Sequence, residues 1–335
     1  MEHIPNIGQK NASSKLITDR RIFSNDRIES LKSKLETAGS ATHFDSLAIF
    51  VAGSFGRLEG SQHSDIDLFF VSKKPRKEYQ EINIPQIRLL SEVITIGDSL
   101  NFPQFSNDGQ FLKILFLDEM LNGLGSAFDD MTNHFTARML LLLESKSIFG
   151  LPTYEYALSQ TVESYFRDYE HHPKDFRPTF IINDILRYWK TLCLNYEHRR
   201  NQVEQRQKIK QKVKNFKLKF SRLMTCFATV AALCTYKETI TPEDVIKISS
   251  DTPVFRLLGL AEKFDQYRPT IAQLIDLYTW FLEQTAQTTE ELESYFEAKQ
   301  NSTIAFENAD KFGKLFFDLV CAIGNENGNL RYLVL

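Results

Sequence analysis

The sequence predicts an α+β protein in which a small mixed sheet is followed by a helical domain. Short apolar runs typical of strands cluster before residue 120, whereas long helical patterns fill most of the chain after residue 131. A length of 335 residues suffices for two domains. We therefore assign residues 1–150 to the sheet domain, 151–323 to the helical domain and 324–335 to a linker with an apolar tail.

The elements of the sheet domain follow from local patterns. Residues 26–38 alternate charge signs on one face of a predicted helix, and Leu47–Gly53 and Asp65–Ser72 are apolar runs of strand length. A helix is expected over 82–98. A turn then leads into a third strand over Phe111–Leu117.

The second part of the chain is predicted to be almost entirely helical. Thr241 is a good capping residue, because Pro242 and two acids follow it in the first turn. The predicted helices span residues 131–148, 177–198, 205–235, 242–262, 271–298 and 303–323.

Composition excludes several classes of protein. A hydrophobic content of 42%, with 25% charged residues, is typical of a soluble protein, and no stretch has the roughly 18 uninterrupted apolar residues of a membrane span. The formal net charge of -3 argues against a protein that coats nucleic acid indiscriminately, so any basic site must be local. Four cysteines without a CxxC pair and a beginning without a secretory signal predict reduced thiols and a cytoplasmic location.

The strongest chemical pattern is Gly53-Ser54, then ten residues, then Asp65-Ile66-Asp67. Alternate residues of a strand share a face, so the two carboxylates project together and repel each other unless a cation lies between them. Mg²⁺ suits this position, with Mn²⁺ as a substitute, because it binds carboxylate and triphosphate oxygens together. Two such ions about 4 Å apart hold the attacking and leaving oxygens of an in-line displacement. The alternative is an ordinary strand-turn-strand with exposed aspartates.

The glycine-serine turn adds a place for phosphate. Gly53 lets the backbone approach a ligand closely, and Ser54 supplies a hydroxyl and backbone N–H groups. Arg57 is expected to add positive charge toward a phosphate.

The stretch GSFGRLEGSQHSDIDLFF resembles the glycine-serine and paired-aspartate motif of the DNA polymerase β-like nucleotidyltransferase superfamily. Within that superfamily it is most similar to the nucleotidyltransferase domain of the protein-PII uridylyltransferase group, over about residues 45–150. The resemblance implies a third metal-binding carboxylate near the third strand. Asp108 is the first choice, with Asp118 and Glu119 as the fallback.

The chain departs from the uridylyltransferases because it has no histidine-aspartate hydrolase domain. A nucleotidyltransferase with a helical domain and no hydrolase also resembles bacterial anti-phage defence enzymes of the Hailong type, which implies an effector protein encoded nearby.

A basic run contributes candidate residues in the helical domain. Between Arg199 and Arg222 there are ten Lys or Arg and one acid. Phe216, Phe220, Leu223 and Phe227 form an apolar stripe at helical spacing, which fixes the sides of this helix. Three polar residues of this helix share another face and are expected to hold the β- and γ-phosphates of the triphosphate: Lys214, Lys217 and Ser221. The alternative for these three residues is a solvated helix face, which is the interpretation adopted for residues 206–212.

Two other features each have a structural and a functional interpretation. Arg187, Tyr188 and Lys190 are interpreted as packing and helix-surface residues, with Asp184 one turn away as an ion-pair partner, or else as lining of the cleft. The apolar tail after Gly324–Asn329 is interpreted as a docked segment, or else as one that presents Tyr332 as a hydroxyl acceptor.

Together these patterns predict an enzyme that binds its nucleotide in a cleft between the two domains. It would transfer a nucleoside monophosphate from an NTP or dNTP to a hydroxyl and release pyrophosphate. The favoured product is an untemplated nucleotide polymer or signal in anti-phage defence; the alternatives are nucleotidylation of a partner protein and a catalytically silent nucleotide-binding regulator.

Overall fold

The computed structural model describes residues 4–8, 10–39, 41, 44–76, 83–105, 109, 112–171, 174–200, 205–237 and 239–334. These residues form two compact units. The sheet unit comprises Asp19–Arg167, and the helical unit comprises Met1–Thr18 together with Asp168–Leu335. The sequence-based boundary at residue 150 differs from this division, because the helix Leu151–Glu163 belongs to the sheet unit and the first 18 residues belong to the helical unit.

The sheet unit contains four strands in a mixed sheet: β1 (Leu47–Ala52), β2 (Asp67–Ser72), β3 (Ile114–Phe116) and β4 (Lys146–Phe149). The order across the sheet is β3-β2-β1-β4. β1 pairs antiparallel with β2 and with β4, whereas β2 and β3 are parallel. The predicted α+β class and small mixed sheet are therefore confirmed.

The central strand β1 lies in the core of the sheet unit. β1 is buried along its whole length, as expected for an apolar central strand. Its neighbours on the core side include Leu35, Phe70, Val93 and Ile148.

The helices of the sheet unit cover both the predicted positions and several others, and the first of them begins in the helical unit. They are α1 (Asn11–Ala38), α2 (Gly53–Gly56), α3 (Asn83–Ser99), α4 (Leu117–Asn122), α5 (Ala127–Met131), α6 (His134–Glu144) and α7 (Leu151–Glu163).

The helical unit contains the remaining helices. In chain order they are α8 (Thr179–Arg200), α9 (Gln205–Lys217), α10 (Leu223–Cys234), α11 (Pro242–Ser250), α12 (Pro253–Lys263), α13 (Arg268–Gln284), α14 (Thr289–Glu297), α15 (Lys299–Glu326) and α16 (Arg331–Val334). The predicted start of α11 is confirmed, because Thr241 and Asp244 form a reciprocal capping box.

The core of the helical unit is aromatic. Phe220 stacks on Phe281 with centroids 5.0 Å apart and on Phe312 at 4.8 Å, and Phe216 packs against Phe281 and Phe296 at 5.2 Å. The large number of phenylalanines in the sequence therefore fills this core.

Two facts bear on the predicted environment of the protein. None of the helices in the described part of the chain is long and apolar enough to cross a membrane. Cys226 and Cys234 are buried, and burial raises the pKa of the Cys234 thiol to about 12, so this side chain behaves as an inert core residue.

Candidate functional site

The glycine-serine turn lies directly against the first residue of β2. Ala52, the last residue of β1, pairs with Asp67, and Gly53 follows with a φ of +64°. A Cβ atom added to Gly53 would lie 2.3 Å from Oδ2 of Asp67. No side chain fits between them, so glycine is required here both by its backbone conformation and by the nearby carboxylate. The structure thus brings Gly53, Ser54 and Asp67 together.

The turn itself is tightly built. The N–H of Arg57 donates to the carbonyl of Gly53 at 3.0 Å, and that of Glu59 donates to the carbonyl of Ser54 at 2.8 Å. Phe55 points into the core, where its ring meets Phe102 edge-on at 5.3 Å. Ser54 remains half-buried between these anchors. The turn therefore has a fixed shape, with one hydroxyl at its accessible side.

Asp65 and Asp67 alternate with a buried residue, as the sequence predicted. Ile66 is buried, whereas both aspartates are partly exposed. The predicted strand begins two residues later than expected, at Asp67, so Asp65 belongs to the end of the preceding loop. The alternation of exposed and buried side chains nevertheless continues from the loop into β2.

Helix α1 holds the loop that carries the aspartates. The buried hydroxyl of Ser24 accepts a hydrogen bond from the N–H of Gly60 at 2.9 Å, and Arg20 donates to the carbonyl of Gly60 at 3.1 Å. Further along, Ser64 Oγ accepts from the N–H of Ser61 at 2.9 Å. Both backbone groups of Gly60 are thus fixed five residues before Asp65. The sequence analysis missed Arg20 and Ser24, since no motif links α1 to this loop.

The third carboxylate is not located by the structure. Asp108, the first choice, lies outside the described residues. Of the fallback pair, Asp118 is exposed, and Glu119 accepts hydrogen bonds from Arg76 at 2.6 and 2.9 Å. The hydrogen bond from Arg76 is the main reason that the pKa of Glu119 is lowered. Within the described ranges no group of three or more His, Cys, Asp or Glu side chains is arranged to hold a metal ion.

Arg57 occupies a different environment from the one expected. Its Nε lies 2.7 Å from Glu59 and its Nη1 lies 2.7 Å from Glu144, and all three side chains are buried. The expectation that Arg57 points toward a phosphate is therefore corrected, since its guanidinium holds two carboxylates inside the unit. Glu144 is 87 residues away in sequence, so no local pattern could have revealed this partner.

The helix that carries the basic run is interrupted by a π-helical turn, Leu218–Arg222. Such a turn inserts one residue and shifts the inward-facing positions that follow. Phe216 and Phe220 are buried as predicted, but Met224 takes the next buried position, and Leu223 and Phe227 are only half-buried. The predicted apolar stripe is therefore correct as far as Phe220, inside the π turn, and displaced after it.

The same turn separates Ser221 from the two lysines. Lys214 and Lys217 are exposed, whereas Ser221 is buried and its hydroxyl donates to the carbonyl of Lys217 at 2.9 Å. The expected grouping of all three on one face is corrected: the lysines share a solvent-facing side, and Ser221 faces inward.

The structural interpretation of the 177–198 helix is supported. Arg187 Nε lies 3.0 Å from Asp184, Tyr188 is buried and Lys190 is exposed. The predicted ion pair one turn apart is therefore present.

The segment after α15 is docked, which agrees with the first of the two interpretations of the tail, and residues 324–326 of the expected linker belong to the helix. Helix α15 continues to Glu326, and the side chains of Asn327 and Asn329 are buried and both donate to the carbonyl of Cys234, at 3.1 and 2.9 Å. The tyrosine hydroxyl of Tyr332 accepts a hydrogen bond from Arg331, and the Arg177 guanidinium lies 5.7 Å from its ring. The asparagines of this segment donate to the buried carbonyl of Cys234, so a composition rich in turn-forming residues does not indicate a mobile segment here.

Comparisons with protein-family models, with curated proteins and with solved structures find no match.

Proposed function

We propose that this chain is a metal-dependent nucleotidyltransferase of the polymerase β type, with its site at Gly53, Ser54, Asp65 and Asp67. The observation that carries the proposal is the contact between the side-chain-free backbone of Gly53 and the carboxylate of Asp67. A turn suited to phosphate thus lies beside the partly exposed carboxylate of Asp67, with Asp65 two residues before it, and this supports the proposal.

The residues at this edge of the sheet fit a hard cation. Asp65 and Asp67 supply oxygen ligands, flank the buried Ile66 and are both partly exposed. These two residues would hold Mg²⁺, for which Mn²⁺ substitutes, and Asp108 remains the predicted third ligand. The ion, when bound, supplies positive charge to the oxygens of the phosphates.

The protein's contribution to the reaction would be mainly to position the triphosphate. Ser54 and the backbone N–H groups of the turn would bind phosphate oxygens, and Asp65 and Asp67 would hold the ion. An acceptor hydroxyl oxygen attacks the α-phosphorus of an NTP or dNTP and loses its proton to solvent or a base. The new O–P bond replaces the bond to pyrophosphate, which leaves.

Replacement of Asp67 by Asn tests the site. We expect Asp67→Asn, and likewise Asp65→Asn, to abolish transfer of label from a triphosphate in the presence of Mg²⁺, with the melting temperature unchanged or raised because one of two repelling carboxylates is neutralised. Asp98→Asn is the matched control, since Asp98 is an exposed aspartate of the same unit. Wild-type activity in either site variant would refute the assignment.

Three hypotheses differ in the acceptor of the nucleotide. The resemblance of the sequence to anti-phage defence enzymes favours an untemplated nucleotide polymer or signal. Incubation of the pure protein with each labelled NTP and dNTP distinguishes them. A ladder that survives protease treatment indicates a polymer, label on protein alone indicates nucleotidylation of side chains, and binding without transfer indicates a silent regulator. Mapping of labelled peptides decides whether Tyr332 is an acceptor. An effector protein and a cytoplasmic location stay predictions from the sequence.

A further inference from the structure

Three lysines of α9 form a row on the outer face of the helical unit. Lys210, Lys214 and Lys217 are spaced by four and three residues, so they lie on one side of the helix, and all three are exposed. Seven residues of helix span about 10.5 Å, which is long enough to follow more than one phosphate of a strand. We refer to these residues as the α9 lysine row.

The row is held by a rigid support. Val213 and Phe216 of α9 are buried, and Phe216 packs against Trp280 at 5.8 Å and Phe296 at 5.2 Å. This packing fixes the rotation of α9 about its axis, so the exposed lysines stay directed at solvent.

The charges of the row are not neutralised within the unit. Among the described residues, no carboxylate lies within ion-pair distance of the three ammonium groups. This holds although α14, which packs against α9, carries four glutamates. Lys219, just beyond the row, is different, because it lies 2.6 Å from Asp310. The π turn thus ends the row and directs the next lysine into an ion pair.

The composition of the exposed face favours nucleic acid over a membrane as the partner. A helix that lies on a membrane exposes a strongly apolar face beside its basic one. None of the bulky apolar residues of α9 is exposed, and among its side chains that the structure describes, the exposed ones are four lysines and Gln207. Regularly spaced lysines with amides suit a repeating phosphate backbone.

From these observations we infer that the α9 lysine row binds the phosphate backbone of an oligonucleotide. The inference goes beyond the proposed catalytic activity, because it concerns binding without turnover. The net charge of -3 is consistent with such a local site, since the rest of the surface would not attract nucleic acid indiscriminately.

The test is fluorescence anisotropy with a labelled thymidylate strand of about 20 nucleotides, longer than the roughly 4–16 nucleotides that one binding module covers. Divalent ions and nucleotides are left out. The triple variant Lys210→Gln, Lys214→Gln, Lys217→Gln is compared with the control Lys263→Gln, Lys311→Gln, Lys314→Gln, which removes three exposed lysines of the same unit. Circular dichroism verifies that both variants are folded.

We expect the row variant to bind at least tenfold more weakly than the wild type at low salt, and the control to stay within about twofold. Three lost phosphate contacts should reduce the slope of log K against log salt by about 2. Asp67→Asn should bind the strand as the wild type does, whether or not the chain proves to be a transferase, so the two proposals fail independently.

Several outcomes would overturn the inference. Unchanged affinity in the row variant would do so directly, and an equal loss in the control would show a general charge effect. Row-dependent binding to phosphatidylserine vesicles, with oligonucleotide affinity unaltered, would identify a membrane surface. A raised KM for the triphosphate with unaltered oligonucleotide affinity would instead support the triphosphate role predicted for Lys214 and Lys217.

Discussion

At the scale of single residues, Gly53 links the conformation of a turn to the position of a carboxylate. Its φ of +64° disfavours any other residue, and its missing Cβ leaves the space that Oδ2 of Asp67 requires. We expect Gly53→Ala to lower the free energy of unfolding by about 1–3 kcal/mol through backbone strain. A further loss should arise from displacement of the carboxylate.

Gly125→Ala separates the two effects, because Gly125 also has a positive φ, +80°, but a Cβ there would meet no atom within 4 Å. Urea unfolding gives the stability of both variants, and calorimetric titration with Mn²⁺ gives their metal affinity. Gly53→Ala should be the less stable variant and the only one with weakened Mn²⁺ binding. Equal stability and equal affinity would mean that the Asp67 carboxylate has room to move.

At the scale of elements, the junction between α15 and α16 depends on buried asparagines. Asn329 donates to the carbonyls of Cys234 and Tyr236 and accepts from Arg177. Asn329→Ala would remove the side-chain donor to the Tyr236 carbonyl and one of the two side-chain donors to the Cys234 carbonyl, at a cost of about 1–3 kcal/mol in the free energy of unfolding. Hydrogen exchange of residues 327–334 should quicken in the same variant.

Asn325→Ala is the control for this prediction, since Asn325 is exposed in the last turn of α15. Its unfolding free energy and exchange rates should match those of the wild type. If Asn329→Ala behaved in the same way, the polar contacts of the junction would contribute nothing to its stability.

Secondary-structure elements differ in how well the sequence predicts them. Periodicity located β1, β2 and most helices, because each buries one clear set of side chains. It missed β4: Lys146–Phe149 follows an apolar run in α6 and is too short to show alternation, so the whole stretch looked helical. It also missed the π turn, because the extra residue changes which side chains face the core without changing the composition of the segment. For the candidate site, the turn and the paired aspartates were predictable from local spacing, whereas the ion pair between Arg57 and Glu144 joins residues 87 positions apart in sequence.

At the scale of the whole molecule, the helical unit is assembled from two separate stretches of chain. Asp276 on α13 accepts hydrogen bonds from the N–H of Lys10 at 3.1 Å and from the hydroxyl of Ser13 at 2.6 Å. We expect Asp276→Ala to destabilise the unit by about 1–3 kcal/mol, because the buried hydroxyl loses its acceptor. Trypsin should then cleave faster after Lys10 and Lys15.

Asp318→Ala provides the comparison, since Asp318 is exposed on α15 in the same unit. Mass spectrometry of the tryptic fragments over time reports the cleavage rates. Equal rates at Lys10 in the two variants would show that Asp276 does not hold the N-terminal segment in place.

The discontinuity of the helical unit has a consequence for biosynthesis. The ribosome makes residues 1–18 before the sheet unit, yet their partner Asp276 emerges only after some 260 further residues, a delay of roughly 13–50 s at translation rates of about 5–20 residues per second. The sheet unit, whose residues 19–167 are contiguous, has all its strands well before that time. Residues 1–18 are therefore made before the sheet unit but reach their place after it, and during that interval the apolar residues Ile4 and Ile7 are available to chaperones.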